Sequence, residues 1–347
     1  MAKKRVIMAL SIVLIACLGL VLAVDCSFAQ LAQKAAEEEI PPRKDYTGTL
    51  GFIPAFFDRG KVSSMLSISQ GIDNNVYLDS RRKVSGFTQQ LFKTSITSPI
   101  TDNLDGILGY EVMNLTYENG PADVNMVANT LKAGTEYRFC KNIKLLTEGK
   151  FTANNYYTTG DDNSLDYSIE NKIRQNLPQK MYHSFSYDFM FKDYTTDHVS
   201  NGIGVIMDRK RNDMRNTFEY EVGKYFAKDL VKVKIQYYTN DSNERFLDYY
   251  DYTSTKPSIS LLHLFNDKTF SLLSYSMQYR NYDTRTILTD ATVDEKDVTR
   301  VLTAALYRNI TKDLTVGLSY TYRHNSSNEP SSKYSGSMFA LNASYTF

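Results

Sequence analysis

Ten residues near the C-terminus, Leu314-Thr-Val-Gly-Leu-Ser-Tyr-Thr-Tyr-Arg323, decide the fold of this chain. Leu, Val, Leu, Tyr and Tyr alternate there with Thr, Gly, Ser, Thr and Arg. In an extended chain all the apolar side chains of such a stretch therefore lie on one face and the polar ones on the other. The same alternation recurs along 231–238, 184–192 and 338–347. This pattern predicts β-strands with one apolar and one polar face.

Short polar turns separate these strands, and they recur every 38 to 49 residues along the chain. The six turns are Ile100–Leu104, Phe139–Ile143, Leu177–Met181, Phe226–Leu230, Phe265–Thr269 and Ile310–Leu314. They join twelve strands in pairs. One further strand near Ser63–Asn74 and a last one at Lys333–Phe347 bring the predicted number to fourteen, with twelve or sixteen as alternatives.

Short turns at one end, longer polar loops at the other and an even strand number are typical of a bacterial outer-membrane β-barrel. A closed sheet gives every backbone N–H and C=O a partner inside lipid, where water is absent. The sequence thus predicts an all-β, antiparallel transmembrane barrel over 61–347, and a soluble β-sandwich is the alternative. Tyrosines near strand ends are expected at the two membrane interfaces: Tyr156, Tyr157, Tyr194, Tyr237, Tyr282 and Tyr322.

Composition excludes several other classes of protein. The 347 residues include 40 Lys and Arg against 39 Asp and Glu, a formal net charge of +1, which disfavours nucleic acid as a partner. Three cysteines are too few for a disulfide scaffold. Hydrophobic residues make up 42% of the chain, which argues against a disordered protein.

The N-terminus has the pattern of an export signal. Basic residues at positions 3–5 precede an apolar run from Val6 to Val24, and Ser27-Phe28-Ala29 follows as a small-x-small cleavage site. We expect 1–29 to be a cleaved signal peptide and 30–60 a polar periplasmic lead-in. A retained anchor and lipidation at Cys17 are the alternatives.

The last strand ends in a second recognisable pattern. Apolar or aromatic residues occur at every second position up to the C-terminus: Phe339, Leu341, Ala343, Tyr345 and Phe347. A terminal Phe on an alternating last strand resembles the signal that the barrel-assembly machinery recognises. We therefore expect that machinery to be a partner of this chain.

One family resemblance involves the first strand. Gln70-Gly-Ile-Asp-Asn-Asn-Val-Tyr-Leu78 resembles the Gly-Tyr-Asp-x-Asn-Val opening of the β-barrel porin 2 type of outer-membrane protein, although Ile72 occupies a position where that pattern has an aromatic residue. The Tyr-rich strands after Asn/Lys-Asp-Leu turns are similar too. The resemblance spans about Gly51 to Phe347. It implies a porin-like barrel, of a type often associated with exopolysaccharide export.

Alternation also predicts which charged side chains point into the lumen. They are Lys132, Glu136, Arg138, Lys144, Glu148, Lys150, Asp188, Lys192, Glu219, Glu221, Lys232, Lys234, Arg280 and Arg323. In one interpretation such charges set the solute selectivity of a pore. In the other they pair across neighbouring strands and fill the barrel.

The sequence offers little for catalysis or for cofactors. It has four histidines, His183, His198, His263 and His324, and no Gly-x-Ser-x-Gly motif of a hydrolase. A barrel lipase needs Ser and His on neighbouring strands with an orienting polar group. We expect no enzymatic activity, no cofactor and no metal site.

These observations predict a passive outer-membrane pore for small solutes, with anionic solutes favoured. One alternative is a secretion pore for an acidic exopolysaccharide, in which Lys232, Lys234, Arg280 and Arg323 attract the polymer and periplasmic export components are partners. A second alternative is a structural or surface-binding barrel that does not conduct. In each case outer-membrane lipid and lipopolysaccharide surround the chain.

Overall fold

The computed structural model describes residues 60–79, 82–118, 124–157, 162–246 and 250–347. The expected signal peptide and nearly all of the lead-in lie outside these ranges. The strands are β1 (Lys61–Asp73), β2 (Ser85–Pro99), β3 (Leu104–Tyr117), β4 (Met126–Cys140), β5 (Ile143–Tyr156), β6 (Ser164–Leu177), β7 (Met181–Ser200), β8 (Ile206–Tyr225), β9 (Asp229–Ser242), β10 (Tyr252–Leu264), β11 (Thr269–Ile287), β12 (Asp290–Asn309), β13 (Leu314–Ser327) and β14 (Tyr334–Thr346). In the described part of the chain, no helix combines the length and apolar character needed to cross a membrane.

The fourteen strands form a closed antiparallel barrel, as predicted. Each strand pairs with its neighbours in sequence, and β1 pairs with β14 to close the wall. Along this seam Met65 lies opposite Thr346 and Asp73 lies opposite Met338. Closure leaves no strand edge unpaired, which is the condition for a β-structure in lipid.

The six short turns all lie at one end of the barrel, which we call the turn end; the other is the loop end. In the β6–β7 turn Gln179 and Lys180 both have positive φ, 58° and 57°, and Met181 N donates to Pro178 O at 3.3 Å. Two successive positive φ angles define a type I′ turn, whose twist matches that of a hairpin. In the β12–β13 turn the Thr311 hydroxyl accepts from Leu314 N at 2.9 Å instead.

Two hairpins extend the wall at the loop end. Strands β7, β8, β11 and β12 have 19 or 20 residues, whereas the other ten have 13 to 15. Pairing in these hairpins becomes irregular beyond Asp193 and beyond Asn281. Such bulges increase the local twist and bend the strand. The loop end is therefore taller on these two sides than elsewhere.

Candidate functional site

The two faces of the wall differ in chemistry along every strand. On β9, Val233 and Ile235 are 54% and 49% exposed, and Lys232 and Lys234 occupy the alternate face. Side chains of that alternate face reach across whole strands: Tyr117 on β3 donates to Asp73 on β1 at 3.4 Å, over β2. Such contacts form on the concave side of a curved sheet, so we take the charged face as the inner wall.

The fourteen charged residues that sequence analysis assigned to the lumen lie on seven strands of this wall. They are Lys132, Glu136 and Arg138 on β4, Lys144, Glu148 and Lys150 on β5, Asp188 and Lys192 on β7, Glu219 and Glu221 on β8, Lys232 and Lys234 on β9, Arg280 on β11 and Arg323 on β13. The structure brings most of them next to a charged or aromatic partner.

Ion pairs join many of these residues to a neighbouring strand, and one of them, Arg323–Asp73, spans β14 from β13 to β1. The pairs are Lys132–Glu111 at 3.1 Å, Lys144–Glu136 at 2.7 Å, Arg138–Asp105 at 2.9 Å, Lys150–Glu170 at 3.1 Å, Lys234–Glu219 at 3.2 Å, Arg280–Asp297 at 4.0 Å and Arg323–Asp73 at 2.6 Å. Paired charges largely cancel at a distance. Of the four cations expected to attract an acidic polymer, only Lys232 has no ion pair with the described residues.

Two further inner-wall lysines were not singled out from the sequence. Lys172 on β6 and Lys256 on β10 also form no ion pair with the described residues, and they lie in one register row with Gln236 and Glu219 between them. Together with Lys232 they are inner-wall cations without an ion pair among the described residues, and two carboxylates of the same wall, Asp188 and Glu221, form no ion pair there either. Alternation alone identifies the face of each lysine, but only the register identifies which of them lacks a carboxylate neighbour.

Arginine and tyrosine side chains form a continuous band on the inner wall from β7 to β11, near the loop end. We call it the arginine–tyrosine arc: Tyr194, Arg211, Arg215, Tyr238, Tyr250, Tyr252, Arg280 and Tyr282. The Arg211 guanidinium lies 3.2 Å from the ring centroid of Tyr250 and 4.3 Å from that of Tyr194. Arg280 lies 4.9 Å from the Tyr252 centroid. Each contact has cation–π geometry.

Hydrogen bonds fix the arc in place. Arg211 donates two bonds to Asp213, the shorter at 2.6 Å, and Arg215 donates to the Tyr252 hydroxyl at 2.9 Å. The Nε atoms of Arg215 and Arg280 are buried and have no partner in the described chain. Buried polar atoms normally have a partner. These two N–H groups are exceptions to that rule among the described residues.

The arc corrects part of the tyrosine prediction. Tyr237, Tyr157 and Tyr322 are exposed, as interface residues should be. Tyr194 and Tyr282, however, are only 6% and 7% exposed and contact Arg211 and Arg280 on the inner wall. Their assignment to the membrane interface was wrong. A phenol ring suits both environments, so its place near a strand end did not decide which face it occupies.

None of the described histidines has a complete catalytic arrangement. His263 Nδ1 lies 2.7 Å from Asp229 Oδ1, and Ser271 is opposite His263 in register. No hydrogen bond joins Ser271 to His263 among the described contacts, and the Phe265 ring packs edge-on against the imidazole. The described residues also contain no cluster of metal-ligating side chains. The absence of enzymatic activity stays a prediction.

A carboxylate fastens two loops to each other at the loop end. Glu329, 4% exposed, accepts from Leu288 N at 2.8 Å and from Ser331 N and its hydroxyl at 3.1 and 2.7 Å. These donors, with the Leu288 N–H first, hold the pKa of Glu329 below its usual range. Because the folded pKa is lowered, the carboxylate stabilises the loops above its ordinary pKa of about 4.3, and this stabilisation is lost as pH falls through the lowered value.

We expect Glu329→Gln to free either the Leu288 or the Ser331 amide, because these N–H groups bond to different carboxylate oxygens and a carboxamide has one acceptor oxygen instead of two. Hydrogen exchange of the freed amide at pH 7 should be faster than in the parent, by about tenfold for one lost charge-assisted bond. The parent protein should lose the same protection as the pH falls through the lowered pKa of Glu329. Glu118→Gln, at an exposed carboxylate of the same end, is the control, and equal exchange in both variants would contradict the assignment.

The C-terminal pattern lies along β14, the strand that pairs with β1 at the seam. Phe339, Leu341, Tyr345 and Phe347 are all exposed on the outer wall, and the rings of Tyr345 and Phe347 stack at 5.9 Å. Phe347 N donates to Ser64 O at 2.9 Å and so ties the end of the chain to β1. The described contacts of Ala343 are with β1 and β13, opposite Ile68 and Val316. Recognition of these five residues by assembly machinery stays a prediction.

Comparison with known proteins supports the fold. The chain is similar to the loop-L8 deletion mutant of OmpT, an outer membrane protein of Vibrio cholerae, with 10% identity and a TM-score of 0.51 over 84% of this chain and 100% of that one. The fold is that of an outer-membrane β-barrel.

Two other solved structures match with lower scores. One is an anion-selective porin from Comamonas acidovorans, with 8% identity and a TM-score of 0.47 over 83% of this chain and 99% of that one. The other is the Pseudomonas putida toluene transporter TodX, with 10% identity and a TM-score of 0.46 over 87% and 94%. No family model and no curated protein matches the sequence. The resemblance to the β-barrel porin 2 type therefore stays a prediction.

Proposed function

We propose that this chain is an outer-membrane channel through which small solutes diffuse, with anionic solutes favoured. The observation that supports it most is the closed fourteen-strand wall with exposed apolar side chains outside and charged side chains inside. Eight-strand barrels are narrow enough to be filled by side chains, whereas larger barrels enclose a cavity or channel. A signal peptide over 1–29 and assembly through the terminal Phe347 would place the barrel in that membrane.

The preference for anions rests on Lys172, Lys232 and Lys256. Most other inner charges form ion pairs, so their fields largely cancel, but these three lysines have no described carboxylate partner. Wall charges of one sign attract counter-ions into a narrow aqueous path. The three ammonium groups therefore raise the concentration of anions in the lumen relative to cations.

The arginine–tyrosine arc supports one alternative, a secretion pore for an acidic polysaccharide. Guanidinium groups bind carboxylates through paired N–H donors, and tyrosine rings offer flat surfaces to the apolar faces of sugars. Such a pore would work with periplasmic export components as partners. A barrel that does not conduct and serves a structural or surface-binding role is the remaining alternative.

We expect Lys232→Glu combined with Lys256→Glu to shift selectivity toward cations. The double variant replaces two unpaired ammonium groups by carboxylates, so the anion-to-cation permeability ratio should fall several-fold, to below one. The measurement is the reversal potential of single channels in a planar bilayer under a salt gradient. Lys232 is more informative than Lys234, because Lys234 pairs with Glu219.

Lys268→Glu is the matched control, since Lys268 lies in the exposed β10–β11 turn outside the barrel wall. It should leave the reversal potential close to that of the parent. An unchanged reversal potential in the double variant would contradict the proposed origin of selectivity. Block of the current by uronic-acid oligomers but not by neutral oligomers of equal length would favour the secretion pore over the small-solute channel.

A further inference from the structure

A basic cleft opens on the outer wall at the loop end, next to the seam. It has a volume of about 500 Å³ and is lined by Asp79, Arg82, His324 to Ser327 and Lys333 to Ser335. We call it the seam cleft. It lies away from the arginine–tyrosine arc, at the rim of the wall, where His324, Ser326 and Ser335 share the face of the exposed apolar side chains.

Arg300 places a charge on the outer wall where apolar residues are the rule. On β12 it shares a face with Leu302 and Leu306, which are 38% and 47% exposed, and it lies opposite His324 of β13. A charge on the lipid face of a barrel is costly near the midplane and much less so near the interface. Arg300 therefore needs either the polar headgroup region or a partner of opposite charge.

A chain of hydrogen bonds joins Arg300 to the cleft. Arg300 Nη1 donates to the Ser326 hydroxyl at 3.1 Å, and His324 Nε2 lies 3.1 Å from the same oxygen. His324 is opposite Ser335 in register, and the Ser335 hydroxyl accepts from Arg82 Nη2 at 2.6 Å. Hydroxyls thus hold two guanidinium groups beside one imidazole.

The chemistry of the cleft suits a phosphate group. Arg82 and Lys333 line the cleft with a single carboxylate, Asp79, which has interactions of its own within the chain, and the Arg300 guanidinium adjoins the cleft through Ser326. Guanidinium forks match phosphate oxygens in geometry and in charge. His324 Nδ1 is buried and has no hydrogen-bond partner in the described chain.

We propose that the seam cleft binds the phosphate of a lipid headgroup in the outer leaflet. This inference rests on the proposed outer-membrane location, because long loops face outward in such barrels. The phosphorylated glycolipid of that leaflet carries its phosphates at the level of the loop end, next to acyl chains that cover the exposed apolar wall below. Binding there would anchor the lipid beside the seam between β1 and β14.

The test uses the full barrel folded in neutral detergent, with bisphosphorylated lipid A, its fully dephosphorylated form and inorganic phosphate as probes. Bound lipid is counted by native mass spectrometry during titration. The variant is Arg82→Gln, Arg300→Gln and Lys333→Gln combined. The control is Lys296→Gln, an exposed lysine on the same face of β12 outside the cleft.

The parent and the control should bind bisphosphorylated lipid A with preference over the dephosphorylated form, and the triple variant should bind it about a hundredfold more weakly. Equal binding by the triple variant would overturn the proposal. Displacement of the lipid by inorganic phosphate at equal concentration would also overturn it, because the site would then serve free phosphate.

Conductance of the same preparations separates this proposal from the channel. The triple variant should conduct as the parent does, because the cleft lies on the outer wall. If the barrel binds lipid A in a charge-dependent way but does not conduct, the proposed channel function is contradicted and the proposed lipid site is not. Conductance with unchanged lipid binding in the triple variant would contradict the seam cleft alone.

Discussion

Replacing Gly71 by alanine is expected to destabilise the barrel by about 3 kcal/mol, since overpacking of this kind costs that much when the obstacle cannot move. Gly71 of β1 lies opposite Ala340 of β14 at the seam. A Cβ there would overlap the carbonyl oxygen of Phe339 and lie 2.9 Å from the Cα of Ala340. Both atoms belong to the backbone, so relief requires the two strands to separate and expose their edges.

Gly109→Ala is the matched control, because a Cβ at this inner-wall glycine of β3 meets its nearest neighbour at 3.5 Å, an ordinary contact. The measurement is the urea midpoint of the barrel refolded in lipid vesicles, followed by the gel-mobility difference between folded and unfolded forms. Gly71→Ala should show a lower midpoint and a smaller folded fraction. Equal midpoints for the two variants would show that the seam tolerates a side chain.

Removing the positive charge of Arg323 is expected to cost about 3 kcal/mol or more, because it leaves a buried carboxylate without its counter-ion. Asp73 has no exposed surface, and its Oδ1 accepts from Arg323 Nη2 at 2.6 Å and from Asn75 N at 3.0 Å. The pair joins β13 to β1 across β14 and so reinforces the seam. Arg323→Met keeps the apolar stem of the side chain and removes only the guanidinium.

A double-mutant cycle identifies the source of this loss. Asp73→Asn added to Arg323→Met removes the unpaired charge and should recover part of the lost stability. Lys93→Met is the control, because Lys93 is 44% exposed in its pair with Glu111, and such pairs contribute at most about 1 kcal/mol. A loss for Arg323→Met no larger than for Lys93→Met would contradict a structural role for the Asp73–Arg323 pair.

The fold could be predicted because its signals are local. Alternation along 314–323 gives the two faces of one strand, and turns such as Ile310–Leu314 give the hairpins, so the strand number of fourteen follows by counting. The residue contacts across the seam could not be predicted in this way. Asp73 and Arg323 are 250 residues apart, and no local pattern states which residue of the first strand meets which residue of the last.

The candidate site was predicted only in part, because a face can be inferred from sequence and a register cannot. Lys234 and Arg280 stand on charged faces in the sequence, but their partners Glu219 and Asp297 became evident only when the strands were aligned. The arginine–tyrosine arc joins strands β7 to β11, and its aromatic members resemble interface tyrosines. Arg300 did have a signal, because it falls on the apolar face of its own strand.

The most direct test of the proposed channel is the single-channel conductance of the purified, folded barrel in a planar bilayer, with the reversal potential measured under a salt gradient. We expect steady conductance steps and a reversal potential that indicates anion preference. A barrel that is folded by its gel mobility and never conducts would contradict the proposed channel, and steady conductance with cation preference would contradict the role of Lys172, Lys232 and Lys256.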